Sequence, residues 1–254
     1  MHIGYDNNCR LDKNIYYFDY KNIRYKLIQS NSKKWINVLI TIIPGFNNTK
    51  AINEAYITAA EFLSAFCYEF NARVSVSYLG GQGVPDNFKL KSAKCRVFSV
   101  RKIPFTGEIL GHTLFRVPKI ENEDQRIALA LYRDAMGSNS NYLSFLFYWQ
   151  ILQINNKNPE SWINKSFYKK NRAIRFSQND LSQIKLNNKK LGEYFKDDCR
   201  DAIAHITSRK PGKTKILLDT LEDNIRIDVS TRVIKEFAYT YIKEVLGLNK
   251  HLSL

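Results

Sequence analysis

Ser138–Ile154, SNSNYLSFLFYWQILQI, carries apolar side chains almost all the way round a helical wheel. A helix that is apolar on every face needs neighbours on every side. The stretch is therefore predicted to be the buried centre of a helical bundle. Its neighbours support that reading. Upstream, KIENED (119–124) is an acidic helix start, which suits the positive end of a helix dipole. QRIALALYRDAM (125–136) continues it as a helix. Downstream, NPESWINKSFYKKNRAI (158–174) opens with an N-terminal proline and carries a basic face. KKLGEYFKDDCRDAIAHI (189–206) is a further helix, ended by Pro211-Gly212. KILLDTLEDNIRID (215–228) reads as irregular or extended. STRVIKEFAYTYIKEVLGL (230–248) reads as a helix with a Ser/Thr cap, stopping at Gly247.

Before about Val117 the texture differs. NIYYFDYKNIRYKLIQ (14–29) alternates as strands do, and KKWINVLITIIPG (33–45) gives a strand closed by Pro-Gly. TKAINEAYITAAEFLSAFCYEFNA (49–72) has Ala, Leu and Phe at three- and four-residue spacing, with Thr49 as its N-cap. VSVSYL (74–79) and KCRVFSVRKI (94–103) read as two more strands. The expected fold class is α+β. Residues 1–118 form a small sheet with a helix, and residues 119–254 form the helical bundle.

Of 254 residues, 39 are Lys or Arg and 24 are Asp or Glu, a formal net charge of +15. Such a surplus suits a polyanion, either nucleic acid or an acidic membrane surface; a merely lysine-rich composition is the plainer account. Cys9, Cys67, Cys95 and Cys199 are scattered without CxxC spacing, so neither a disulfide framework nor a zinc site is expected. The N-terminus lacks the apolar stretch of a signal peptide, and VLITII and FLFYW are too short to span a bilayer. A soluble, cytoplasmic protein is expected.

Chemistry concentrates in DDCRDAIAHITSRKPGK (197–213), where one of four histidines sits near a helix end. Asp201 and His205 are four apart and share a helix face. That carboxylate can orient the imidazole and favour its charged form, as the negative helix end does. Arg200 and His205 are offset by about 140° on a regular α-helix, so they meet at a groove edge or across a twofold axis. A histidine can move the proton of a ribose 2′-hydroxyl or of the leaving oxygen. An arginine can stabilise charge on phosphorus oxygens. Cleavage of RNA in this way requires no metal, and none of the spacings suggests a metal-ligand cluster. Arg209, Lys210, Lys213 and Lys215 would lie beside the groove and attract the RNA backbone. The plainer account is a solvated helix pair, with Arg200 bound to Asp197 or Glu193.

RDAIAH followed by SRKPGKT resembles the Arg-polar-x-x-x-His motif of the HEPN superfamily. Within it, the stretch looks most like the MauJ branch and the related Apea-like HEPN domains. LALYRDA and YLSFLFYWQIL resemble the first two helices of that branch, and the likeness covers about residues 120–248. It implies a metal-independent endoribonuclease, of a kind that includes toxins and defence effectors, working as a homodimer with two motifs facing each other. Arg200 and His205 would be the catalytic pair, with Asp201 the polar orienting residue. A cognate antitoxin or regulator is a partner it allows, and no cofactor is implied. The superfamily also contains members that bind nucleotide or protein without cleaving. The MauJ name implies, by operon association, an accessory protein of methylamine utilisation.

Other features read more simply. LGGQG (79–83) lacks the Gly-Lys-Ser/Thr ending of a phosphate loop and reads as a turn. His112 has no nucleophile or carboxylate constellation around it. Phe145, Phe147, Tyr148 and Trp149 read as core rather than a base-stacking platform. Tyr168, Lys169 and Lys170 form a basic face that either contacts RNA or is simply solvated. Cys199, beside Arg200 near a helix end, is a candidate for a lowered thiol pKa.

Overall fold

The computed structural model describes residues 2–3, 9–11, 15–21, 23–29, 37–42, 49–71, 107–109, 117–168, 178–204, 216 and 220–248. The strands expected at 74–79 and 94–103, the turn at 79–83, and His112 lie outside the described residues. The chain divides into two compact units, the first containing Met1–Glu121 and the second spanning Asn122–Leu248.

In the first unit, β1 (His2–Ile3), β5 (Asn37–Ile42), β4 (Ile23–Gln29) and β3 (Ile15–Tyr20) form an antiparallel sheet in that order. A separate parallel pair joins β2 (Cys9–Leu11) to β6 (Gly107–Ile109). The short strands β1, β2 and β6 go beyond the expected strands, each too brief to show a pattern of its own. The alternation in β3 is real: Phe18 and Tyr20 are buried while Tyr17 and Asp19 are exposed. Phe18 stands opposite Tyr25 of β4, with ring centroids 5.4 Å apart. Lys21 adopts φ 48° at the β3–β4 turn, the left-handed conformation that primed hairpin turns use.

Helix α1 (Thr49–Phe70) buries Ala59, Phe62, Leu63, Phe66 and Cys67, which recur at three- and four-residue intervals. Phe62 lies 4.8 Å from Phe18 and 5.4 Å from Tyr20 between ring centroids, so α1 covers the sheet through aromatic contacts. Lys21 donates to Glu61 at 2.5 Å and pins the helix to the hairpin.

The described part of the second unit is helical: α2 (Glu123–Gly137), α3 (Asn141–Gln153), α4 (Pro159–Tyr168), α5 (Gln178–Ser182), α6 (Leu191–Tyr194), a π-helical turn (Phe195–Asp201), α7 (Ala202–Ala204) and α8 (Leu221–Glu244). Asn122 caps α2 by accepting from the Gln125 amide at 2.9 Å, and Glu123 and Asp124 fill its first turn. Pro159 is the first residue of α4, where its missing N–H costs nothing. α3 packs against both α2 and α8. It buries Phe145, Tyr148, Trp149, Ile151 and Leu152, whereas Phe147 is half-buried. Thr231 donates to the Asn141 carbonyl at 3.1 Å, tying α8 to the start of α3. Gly247 has φ 69°, the left-handed stop expected just beyond the last helix.

Two expectations are corrected. The segment 215–228 is not irregular throughout: α8 starts at Leu221 and runs unbroken for 24 residues. Ser230 and Thr231 are buried mid-helix and do not cap it; Thr231 hydrogen-bonds back to the Ile227 carbonyl at 2.7 Å. The start is marked by Thr220, whose hydroxyl donates to Asp223 at 3.2 Å. The second correction concerns 189–206. It opens as four residues of α-helix and then widens into a seven-residue π turn.

Candidate functional site

The π turn is built by residues that reach it from three directions. Phe195 is fully buried, with ring centroids 5.8 Å from Phe145 of α3 and 6.3 Å from Phe237 of α8. Cys199 is also fully buried, and Asp198 nearly so. Burying these positions keeps the segment seated on the core while the next side chain, Arg200, reaches solvent. Beneath it, Ser230 lies 3.4 Å from the Tyr194 hydroxyl and receives the Cys199 thiol at 3.6 Å. The Asp198 carboxylate accepts from Lys189 at 2.8 Å, and the Asp198 carbonyl accepts from Arg226 of α8 at 3.1 Å. Arg226 also donates to Asp223 at 2.7 Å.

The turn is fastened to α4 as well. Lys196 donates to Glu160 at 3.0 Å, and Asn164 accepts from the Gly192 amide at 2.8 Å. A Cβ at Gly192 would collide with the Glu160 carbonyl, so glycine alone lets α6 come this close to α4. Glu160 beside Lys196 raises that lysine's pKa, and Asp198 beside Lys189 does the same there.

On this platform Arg200 and Asp201 end the turn. Arg200 donates to Asp201 at 2.5 Å; the arginine side chain is 37% exposed and the aspartate 16%. Arg200 thus takes neither Asp197 nor Glu193 as its ion-pair partner. Asp197 lies 3.6 Å from Lys189, and Glu193 accepts from the Lys190 amide at 3.2 Å. The α-helical offset of about 140° between Arg200 and His205 assumed a regular helix. Arg200 and Asp201 stand in π geometry, where i→i+5 bonding widens the turn. His205 itself, and the cations Arg209, Lys210, Lys213 and Lys215, lie outside the described residues, as do Lys169 and Lys170.

Cys199 corrects the sequence expectation. Burial pushes its thiol up to about 12, against an ordinary 9.0. The helix-end position does not activate it, because the side chain points into the core instead of toward solvent. Among the described residues, no group of three or more His, Cys, Asp or Glu is placed to hold a metal ion. Among them too, no helix is long and apolar enough to cross a membrane.

Comparison with known families bears on this same segment. Residues 128–243 match the family model of methylamine utilization protein MauJ. This segment is MauJ-like. It begins within α2 and ends in α8, contains the whole π turn with Arg200 and Asp201, and includes His205 in its sequence range. No curated protein and no solved structure matches the chain.

The residues that build the MauJ-like platform were not singled out from sequence as parts of a site. Asp198, Lys189, Arg226 and Ser230 carry no catalytic pattern. Arg226 had a local signal, however. Thr220-Leu221-Glu222-Asp223 has the [ST]-x-x-[DE] form that starts helices, and it would have placed Arg226 one turn into α8.

Proposed function

We propose that the MauJ-like unit is a metal-independent endoribonuclease of the HEPN type, acting through Arg200 and His205. One observation carries the reading. Arg200, the first residue of an Arg-x4-His motif, stands part-exposed on a braced π turn, with an acidic neighbour to hold its guanidinium. In this reading His205 accepts the 2′-hydroxyl proton as that oxygen attacks phosphorus, or protonates the departing 5′ oxygen. Arg200 stabilises the charge gathering on the non-bridging oxygens, exchanging the Asp201 carboxylate for the phosphate. Products would carry 2′,3′-cyclic phosphate and 5′-hydroxyl ends. The net charge of +15 favours RNA as the polyanion. A homodimer would bring two motifs to one cleft, and residues 119–254 would form the catalytic bundle.

The test is digestion of RNA in EDTA by the wild type, His205→Ala and Arg200→Ala, with thermal unfolding recorded alongside. Cleavage by wild type alone, with unchanged unfolding, supports the proposal. Equal cleavage by wild type and His205→Ala refutes it.

The family match favours a second reading, an accessory protein of methylamine utilisation. It expects no RNA cleavage by any of the three proteins, and a growth defect on methylamine when the chain is deleted from a host that uses this substrate.

A further inference from the structure

We propose that Arg226 is a positioning residue for Arg200: from α8 it braces the π turn, and this braced geometry presents the Arg200 guanidinium. The claim rests, in its kinetic part, on the ribonuclease reading above.

The geometry is specific. Arg226 splits its two terminal nitrogens between two elements, Nη1 to the Asp198 carbonyl at 3.1 Å and Nη2 to Asp223 at 2.7 Å. Asp223 lies in the first turn of α8, one helical turn before Arg226, so the carboxylate aims the guanidinium from behind. Its acceptor on the other side lies two residues before Arg200. A π turn departs from the i→i+4 ladder, and a charged donor seated on one of its carbonyls fixes the widened register against return to regular α geometry. Arg226 is largely shielded, at 22% exposure, whereas Arg200 is 37% exposed. Its positive charge also acts on the buried Cys199 thiol and Tyr194 hydroxyl, as expected for a cation beneath the turn. Lysine cannot reproduce the fork, since its single ammonium must serve both acceptors from one point.

The experiment compares wild type, Arg226→Met, Arg226→Lys and Asp223→Asn in the full chain. It combines hydrogen exchange resolved to peptides with single-turnover RNA cleavage in EDTA. In Arg226→Met, amide exchange over 195–204 is expected to accelerate while that of 141–153 stays at the wild-type rate. Cleavage is expected to slow by roughly ten- to a hundredfold, the scale of a small misplacement of a reacting group, with KM little changed. Arg226→Lys should recover part of the rate, and Asp223→Asn should show the same pattern more weakly.

If Arg226→Met loses protection everywhere, the two milder variants carry the decision. Unchanged exchange at 195–204 in every variant overturns the brace. Faster exchange there with an unaltered cleavage rate overturns the positioning role. A wild type that cannot cleave RNA overturns the ribonuclease reading and, with it, the kinetic part, whereas the exchange measurement still decides the brace.

Discussion

Cys199 and Arg200 are adjacent in sequence and opposite in fate, which shows how much one position on a turn decides. The thiol is fully buried and held protonated, with its pKa pushed up to about 12, while the guanidinium beside it reaches water. Native Cys199 should therefore resist iodoacetamide at pH 8 and react only on unfolding, a contrast that mass spectrometry reads directly. The sign of its pH effect follows. The folded thiol holds its proton above the ordinary 9.0, so its contribution to stability is full below about pH 9 and is lost as pH rises toward 12. Cys199→Ala should flatten the fall in denaturant midpoint across that window. At Asp201, replacement by Asn removes the carboxylate that occupies Arg200. Stability should shift by less than about 1 kcal/mol, because the pair is part-exposed. RNA binding, followed by fluorescence anisotropy, should tighten as Arg200 is released to phosphate; weaker binding would count against Arg200 as a phosphate donor.

Among the elements, the crossing of α6 with α4 is the most sensitive to a single atom. Gly192→Ala forces the two backbones apart and should cost about 1–3 kcal/mol, the usual scale of overpacking, as a lowered urea midpoint. A null result would mean that α6 does not sit against Glu160. Element-level reading from sequence succeeded where the signal is local. The acidic start at Glu123 and Asp124, Pro159, and the three-and-four spacing of α1 each state a helix within a few residues. The alternation of β3 did the same for the sheet. It failed at the start of α8, where Ser230-Thr231 imitated a cap and Thr220–Asp223 was passed over. The π turn had no local signal. Phe195–Asp201 suits an ordinary helix, and what sets the turn apart arrives from Arg226 and Ser230, about thirty residues away.

For the whole molecule, a sheet near the N-terminus and a helical C-terminal region were legible because the two stretches carry different hydrophobic periods. The candidate site was legible only as a spacing, Arg200 to His205; its supports were not. Phe195 links that site to the core, touching aromatic rings of α3 and α8. Phe195→Ala should destabilise the second unit by about 3–5 kcal/mol, by removing a buried ring, and should loosen the π turn with it. The net charge of +15 makes a further expectation. RNA affinity should fall steeply and linearly in log–log form as salt rises; a flat dependence would remove RNA backbone from the list of partners. The most direct test of the central claim is the chemistry of the cut ends. RNA treated with the wild-type chain in EDTA should yield fragments bearing 2′,3′-cyclic phosphate, and Arg200→Ala or His205→Ala should yield none. Intact RNA with the wild type, or cyclic ends produced equally by either variant, would contradict the account.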